Sequence, residues 1–225
     1  MLFGFLNIDK PQGLTSHDVV AWVRRRVPRG VRVGHAGTLD PFATGVLVVG
    51  VGPATRLCGY VQRQPKTYRA ELHLGATSTT DDPDGEIRET PGASPPAPDA
   101  VRAAAEKFTG EIEQTPPAYS AVHVKGRRAY EMARRGENPR LEPRRVVVHR
   151  IALLDYRWPR AEVEVVCGSG TYIRSLARDI GEALGVGAYC AALRRTRVGP
   201  FSAEDAVALE EVDPARHLLP PLSGL

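Results

Sequence analysis

Six consecutive residues, Val46-Leu47-Val48-Val49-Gly50-Val51, carry no polar side chain. A strand with one wet face alternates apolar and polar residues, so an unbroken run suits a strand buried on both faces. It predicts a sheet with this strand at its centre. The approach to it is Gly34-His35-Ala36-Gly37-Thr38-Leu39-Asp40-Pro41-Phe42-Ala43-Thr44-Gly45. Glycines and a proline there force a tight turn around one carboxylate. Asp40 is thus expected on a short loop bolted to the middle of a sheet, which is how a rigid scaffold presents a reactive group. The same residue types also build ordinary connections with the carboxylate bonded to nearby amides, and spacing alone leaves both readings open.

The remaining pattern supplies the frame. Residues 3–8 read as an opening strand and residues 9–13 as a turn. Thr15-Ser16 offers a cap for a helix with Val19, Val20, Val23 and Val27 on one face. Arg24-Arg25-Arg26 near its end reads as a solvated, dipole-matched face, with RNA contact as the alternative. Residues 54–62 have helical spacing, and residues 67–74 alternate, with Tyr68, Ala70, Leu72 and Leu74 on the apolar side. Pattern alone makes Tyr68 a core residue. Residues 77–98 read as a polar loop whose Thr79–Gly85 portion lacks the spacing of an EF-hand.

Pro98-Asp99 is expected to cap a helix bearing Val101, Ala104, Ala105 and Phe108. Residues 110–114 read as a strand, 118–124 as extended, and 127–135 as a helix closed by Gly136. Strands at 145–149 and 161–167 flank a turn region, and a helix with Ile173, Leu176, Ala177 and Ile180 inward follows. A last core strand is expected at 190–193, and Ser202 with Asp205 reads as a capping box for a terminal helix. Strands and helices mixed without regular βαβ alternation predict an α+β fold, in one domain over residues 1–225.

Composition narrows the class. Hydrophobic residues at 42% and charged residues at 25% are ordinary for a water-soluble chain. No apolar run reaches membrane-spanning length and the N-terminus lacks signal-peptide features, so a cytoplasmic protein without a membrane partner is expected. Cys58, Cys167 and Cys190 are odd in number and far apart, and the histidines are scattered, so neither a disulfide framework nor a metal site is expected. The net charge of +4 hints at a polyanionic partner. Eight basic residues against three acidic ones lie between Lys125 and Arg145, including Lys125, Arg127, Arg128, Arg134 and Arg135. Tyr119, His123 and Tyr130 interleave them as stacking surfaces, a combination suited to RNA.

Several separated motifs occur together in one order: Asn7-Ile8-Asp9-Lys10-Pro11 with Gly13 and Thr15-Ser16, the Gly34–Leu47 stretch, Lys66-Thr67-Tyr68, Gln114-Thr115-Pro116-Pro117-Ala118-Tyr119-Ser120-Ala121, Gly168-Ser169-Gly170-Thr171-Tyr172-Ile173-Arg174-Ser175-Leu176, and Leu193-Arg194-Arg195-Thr196. This ordered set resembles the TruB-type bacterial tRNA pseudouridine-55 synthases from near the first residue to the last strand. The resemblance implies a pseudouridine synthase fold: a central mixed, mostly antiparallel sheet flanked by helices and loops, with a basic RNA-binding insertion at about 117–145. It implies isomerisation of a T-arm uridine in tRNA, with no cofactor and no metal.

In that family an aspartate is the nucleophile, which maps to Asp40, and a flipped base is required. Arg174 maps to a guanidinium beside the nucleophile; as a bare helical residue it reads as exposed. Tyr68 and Tyr172 map to active-site tyrosines, Tyr68 for stacking on the uracil and taking the C5 proton. His35 maps to the histidine that supports the flipped conformation, although a lone loop histidine serves equally as a structural donor. Lys10 is expected to support the loop or a phosphate, and Leu193 to wall the uracil pocket. A monomer without an obligatory protein partner is expected, and no C-terminal PUA domain, which family members usually carry. Rival readings are a guide-RNA-dependent synthase subunit, a non-catalytic RNA-binding protein, and, remotely, a glycoside hydrolase, for which no second acid pairs with Asp40.

Overall fold

The structure, a computed structural model, describes residues 2–120, 122–124, 126–137, 139 and 141–220, with only the backbone described at 123, 124 and 128. In chain order the elements are β1 (Gly4–Lys10), α1 (Ser16–Arg24), β2 (Val33–His35), β3 (Thr44–Val51), α2 (Cys58–Arg63), β4 (Lys66–Leu74), β5 (Ala76–Ser78), β6 (Ile87–Glu89), α3 (Pro98–Glu106) and β7 (Gly110–Gln114). There follow β8 (His123–Val124), β9 (Arg127–Arg128), α4 (Ala129–Ala133), β10 (Arg144–Arg157), β11 (Arg160–Cys167), α5 (Ile173–Ala183), β12 (Ala188–Val198), β13 (Phe201–Ser202), β14 (Val207–Ala208) and α6 (Pro214–His217). The chain divides into two compact units, Met1–Arg69 with Leu193–Leu225, and Ala70–Ala192. Strands β4 and β12 each run from one unit into the other.

In the first unit β3 is buried at every position after Thr44. β1 pairs antiparallel along its full length, from Gly4 opposite Val51 to Lys10 opposite Gly45. Its second edge is shared: β12 runs parallel at Arg194–Thr44 and Arg195–Gly45, and β2 runs antiparallel from Val33–Val51 to His35–Val49. β14 adds a parallel strand to β1, so the sheet is mixed. Phe5, Val46, Val48, Val61, Val198 and Phe201 form one buried cluster, with the Phe5 and Phe201 rings edge to face at 5.9 Å. Each such side chain contributes about 1.5–3 kcal/mol by leaving water. Helix α1 starts where expected, because Thr15 and Asp18 bond each other's backbone amides in a capping box.

In the second unit β10 and β11 form a long hairpin, with β7 on the far edge of β10 from Gly110–Val148 to Gln114–Arg144. Helix α3 lays Val101, Ala104 and Ala105 inward and packs on β10. Helix α5 buries Ile173, Leu176, Ala177 and Ile180, and Gly185 beyond it takes φ +71°.

Several local expectations change. The strand expected at 145–149 extends to Arg157, and β11 starts at Arg160, because the region read as a turn pairs across a tight connection. The polar 77–98 loop contains the β5–β6 hairpin. Helix α3 is capped from Ala97 with Pro98 as its first residue, not by Asp99. The helix expected at 127–135 is confined to α4, Ala129–Ala133; Arg127–Arg128 before it is strand β9, paired with β8. The Ser202 hydroxyl does bond the Asp205 carboxylate and accept from Asp205 N, but β14 and not a helix follows them, and the last helix is capped by Asp213.

Candidate active site

The loop between β2 and β3 is held from three sides. Ser16, buried at the start of α1, donates its hydroxyl to Leu39 O at 3.1 Å and accepts from Leu39 N at 2.9 Å. Lys10, the last residue of β1, is wholly inaccessible to solvent. Its Nζ donates to Pro11 O and Leu14 O at 2.8 Å and reaches Pro41 O at 3.4 Å. From β12, Arg195 is 2% exposed, and its guanidinium donates to Val46 O at 2.7 Å, Thr38 O at 3.1 Å and Gly37 O at 3.2 Å. Leu39, Phe42 and Ala43 turn inward, while Asp40 between them stays half-buried. A carboxylate left partly open on so constrained a backbone is preorganised to meet a ligand.

Two glycines make this path possible. Gly37 has φ +114° and Gly45 φ +101°, conformations that side-chain-bearing residues rarely adopt. A Cβ on Gly45 would lie 2.2 Å from Arg195 O, so β3 and β12 approach there at backbone distance.

Electrostatics couples the loop to its anchors. Burial lowers the Lys10 ammonium to about 8, with Asp40 pulling it up and Arg195 pushing it down. His35, half-buried at the end of β2, packs edge to face on His17 at 5.3 Å, and its Nδ1 is buried without a hydrogen-bond partner among the described residues. Burial, then His17 and Arg195, hold its pKa below the usual histidine value. A neutral imidazole with a polarisable face results. Tyr68 is buried on the inward row of β4, and Leu193 is buried at the start of the first unit's share of β12.

Tyr172 and Arg174 lie in the second unit. Arg174 is 3% exposed, which no helical pattern announces. It donates to Asp82 Oδ2 at 2.8 Å, Thr80 O at 3.0 Å and Tyr119 O at 3.0 Å. Asp82 is itself buried and accepts further from Thr80 Oγ1 at 2.5 Å and Asp84 N at 3.0 Å. One helical turn on, Arg178 pairs with Asp81 at 2.8 Å. Burial raises the Asp81 carboxyl above its usual range, with Arg178 opposing. Tyr172 has its backbone clamped by the buried amide of Gln114, which accepts from Tyr172 N at 2.7 Å and donates to Tyr172 O at 3.0 Å. The Arg144 guanidinium covers the Tyr172 ring at 4.7 Å.

Of the basic stretch, Lys125 lies outside the described residues, as does the side chain of Arg128. Arg127 is exposed but forked onto Glu137 at 3.0 and 2.7 Å, so a phosphate there must compete with a carboxylate. Arg134 lies over the Tyr130 ring at 5.6 Å, and Arg135 is exposed. Among the described residues no group of three or more His, Cys, Asp or Glu is arranged to hold a metal ion.

Sequence reasoning did not single out Arg195 or Asp82. Arg195 carries one usable signal: it shares strand parity with Leu193, which puts it on the inward row of β12. Asp82 carries none, since its partner lies 92 residues away.

Residues 25–173 match the profile described as TruB family pseudouridylate synthase (N terminal domain), and residues 174–219 match tRNA pseudouridylate synthase B C-terminal domain. The chain is 51% identical over 220 residues to tRNA pseudouridine synthase B of Thermobifida fusca (strain YX), covering 94% of this chain and 75% of the relative. It is 49% identical over 227 residues to the protein of that name from Symbiobacterium thermophilum, covering 99% and 75%. Among solved structures, a Cbf5-Nop10-Gar1 complex aligns with TM-score 0.76 at 33% identity, covering 99% of this chain and 61% of the solved one. The archaeal box H/ACA sRNP Nop10-Cbf5 complex aligns with TM-score 0.69 at 35% identity, covering 94% and 53%.

Proposed function

This chain belongs to the TruB family of pseudouridylate synthases, and from that premise we propose that it converts the T-arm uridine at position 55 of tRNA to pseudouridine, with Asp40 as nucleophile. The observation that carries the reading is the half-buried Asp40 on a loop tied down by Ser16, Lys10 and Arg195. Isomerisation breaks the N1–C1′ bond, rotates the uracil and joins C5 to C1′. C5 loses a proton and N1 gains one, so no electrons are exchanged. A carboxylate suits the step because it attacks covalently and leaves again. Its backbone must not shift as the base turns, and the three anchors meet that need.

The uridine must leave its stack to be reached. His35, held neutral, offers a ring face to occupy the vacated position. Tyr68 stacks on the uracil and takes the C5 proton, Leu193 walls the base, and Tyr172 contributes a second ring. Arg174 supplies a guanidinium for the nucleophile's charge, with Asp82 fixing its orientation inside the second unit. Basic residues of the 117–145 stretch, Lys125, Arg127, Arg128, Arg134 and Arg135, bind T-arm phosphates and make affinity salt-dependent. The chain works as a cytoplasmic monomer without a protein partner; no helix among the described residues is long and apolar enough to cross a membrane.

The test is incubation of an unmodified tRNA transcript with the wild-type chain and with Asp40→Asn, followed by nucleoside analysis. Pseudouridine from the wild type alone, with both proteins binding tRNA equally, is the expected outcome. Product from Asp40→Asn overturns the nucleophile, and a wild type inert on bare transcript but active with a guide RNA overturns the substrate.

A further inference from the structure

Beyond the end of α1 the chain folds residues 24–34 into a groove of about 740 Å³, lined by Arg24, Arg25, Arg29 and Arg32 with Val27 and Gly34 among them. No carboxylate lines it. All four arginines are exposed. The Arg24 side chain reaches Val33 O at 3.4 Å, whereas the side chains of Arg25, Arg29 and Arg32 make no hydrogen bond or ion pair among the described residues. The third member of the Arg24-Arg25-Arg26 triplet is engaged elsewhere, with Arg26 stacked on the Trp22 ring at 3.1 Å. The triplet is therefore divided between a groove and a ring.

The helix dipole accounts for Arg24 and Arg25, which sit at the C-terminus of α1, but its influence fades within the last turn. Arg29 and Arg32 lie beyond its reach. Four like charges gathered around a concave surface repel one another, and none of the residues lining it is an anion that would offset them. A polyanion would. Guanidinium groups present planar donor pairs matched to phosphate oxygens. One wall of the groove is β2, where Gly34 lines it and the next residue is His35.

We propose that this groove is a second track for the RNA sugar-phosphate backbone, distinct from the 117–145 stretch, supplying affinity and no chemistry. The inference rests on RNA being the substrate. A strand laid along the groove runs beside β2 and so approaches the histidine assigned to the flipped base.

The test uses the full chain carrying Arg25→Glu/Arg29→Glu, with Arg25→Lys/Arg29→Lys as the charge-conserving control. tRNA affinity is measured across a salt series, and isomerisation at saturating tRNA. The expected result for the charge-reversed variant is a Kd raised at least about tenfold near 100 mM salt, a salt slope smaller by about 2, and an unchanged turnover rate. The lysine variant keeps the wild-type slope. A charge-reversed variant with wild-type Kd and slope overturns the proposal while leaving the synthase reading intact. If the wild type makes no pseudouridine yet charge reversal still costs affinity and slope, the synthase reading falls and the groove stands.

Discussion

Lys10 gives the account a consequence measurable without RNA. Its ammonium is sealed inside the first unit on three carbonyls, with its pKa brought from 10.5 to about 8, chiefly by burial. Between those values the unfolded chain holds a proton that the folded chain has released. The unfolded state therefore binds more protons there, and stability attributable to Lys10 rises with pH across that window. Integrating the two titrations from pH 7 to pH 9 gives about 1.3 kcal/mol. Discounted for partial screening of the charge, about 1 kcal/mol is expected.

Other groups oppose the trend. Burial raises the Cys58 thiol and the Tyr156 and Tyr189 phenols, which favours unfolding as pH rises. Lys10 must therefore be isolated by difference. Urea unfolding of wild type and Lys10→Met at pH 7, 8 and 9 gives that difference directly. Wild type is expected to gain about 1 kcal/mol on the variant between pH 7 and pH 9. A difference that stays flat, or falls with pH, would refute the burial argument for Lys10.

Further outcomes follow from the same loop. Gly45→Ala combines a left-handed backbone with a Cβ 2.2 Å from Arg195 O, and should lower unfolding free energy by about 3–5 kcal/mol, read by urea denaturation. Arg195→Lys keeps the charge but not the three-carbonyl fork. It should lose about 3 kcal/mol of loop anchoring and lower turnover much more than tRNA affinity, a split that steady-state kinetics with a binding titration resolves.

Legibility in the sequence followed the kind of partner each residue has. Where the partner is the apolar interior, pattern sufficed: the unbroken run into Val51 is a strand buried on both faces, and alternation through Leu74 is an amphipathic one. Thr15 and Asp18 are close in sequence and bond each other, so the start of α1 was readable as well. Backbone pairing between polar strands was not. Asp155-Tyr156-Arg157 looks like a turn until Arg160, Ala161 and Glu162 lie opposite it. The β5–β6 hairpin escaped because its residues are polar enough to resemble a loop.

The candidate site shows the same division. Asp40 announced itself through the turn formers around it. Arg195 did not, because the carbonyls it grips leave no trace in side-chain identity. The buried Arg174–Asp82 pair joins a helix to a turn far away in sequence, and neither end predicts the other. Charge density does not reveal which cations are already engaged: within the basic stretch Arg127 is paired to Glu137, while the side chains of Arg25, Arg29 and Arg32 have no ion pair among the described residues.

The most direct test of the central claim follows the hydrogen that the reaction must expel. A tRNA transcript carrying tritium at C5 of its uridines is mixed with excess enzyme, and tritium released to water is counted over time. The account predicts release of one label per tRNA by wild type, none by Asp40→Asn, and none from a transcript whose position-55 uridine is replaced by cytidine. Release by Asp40→Asn at the wild-type rate would contradict it.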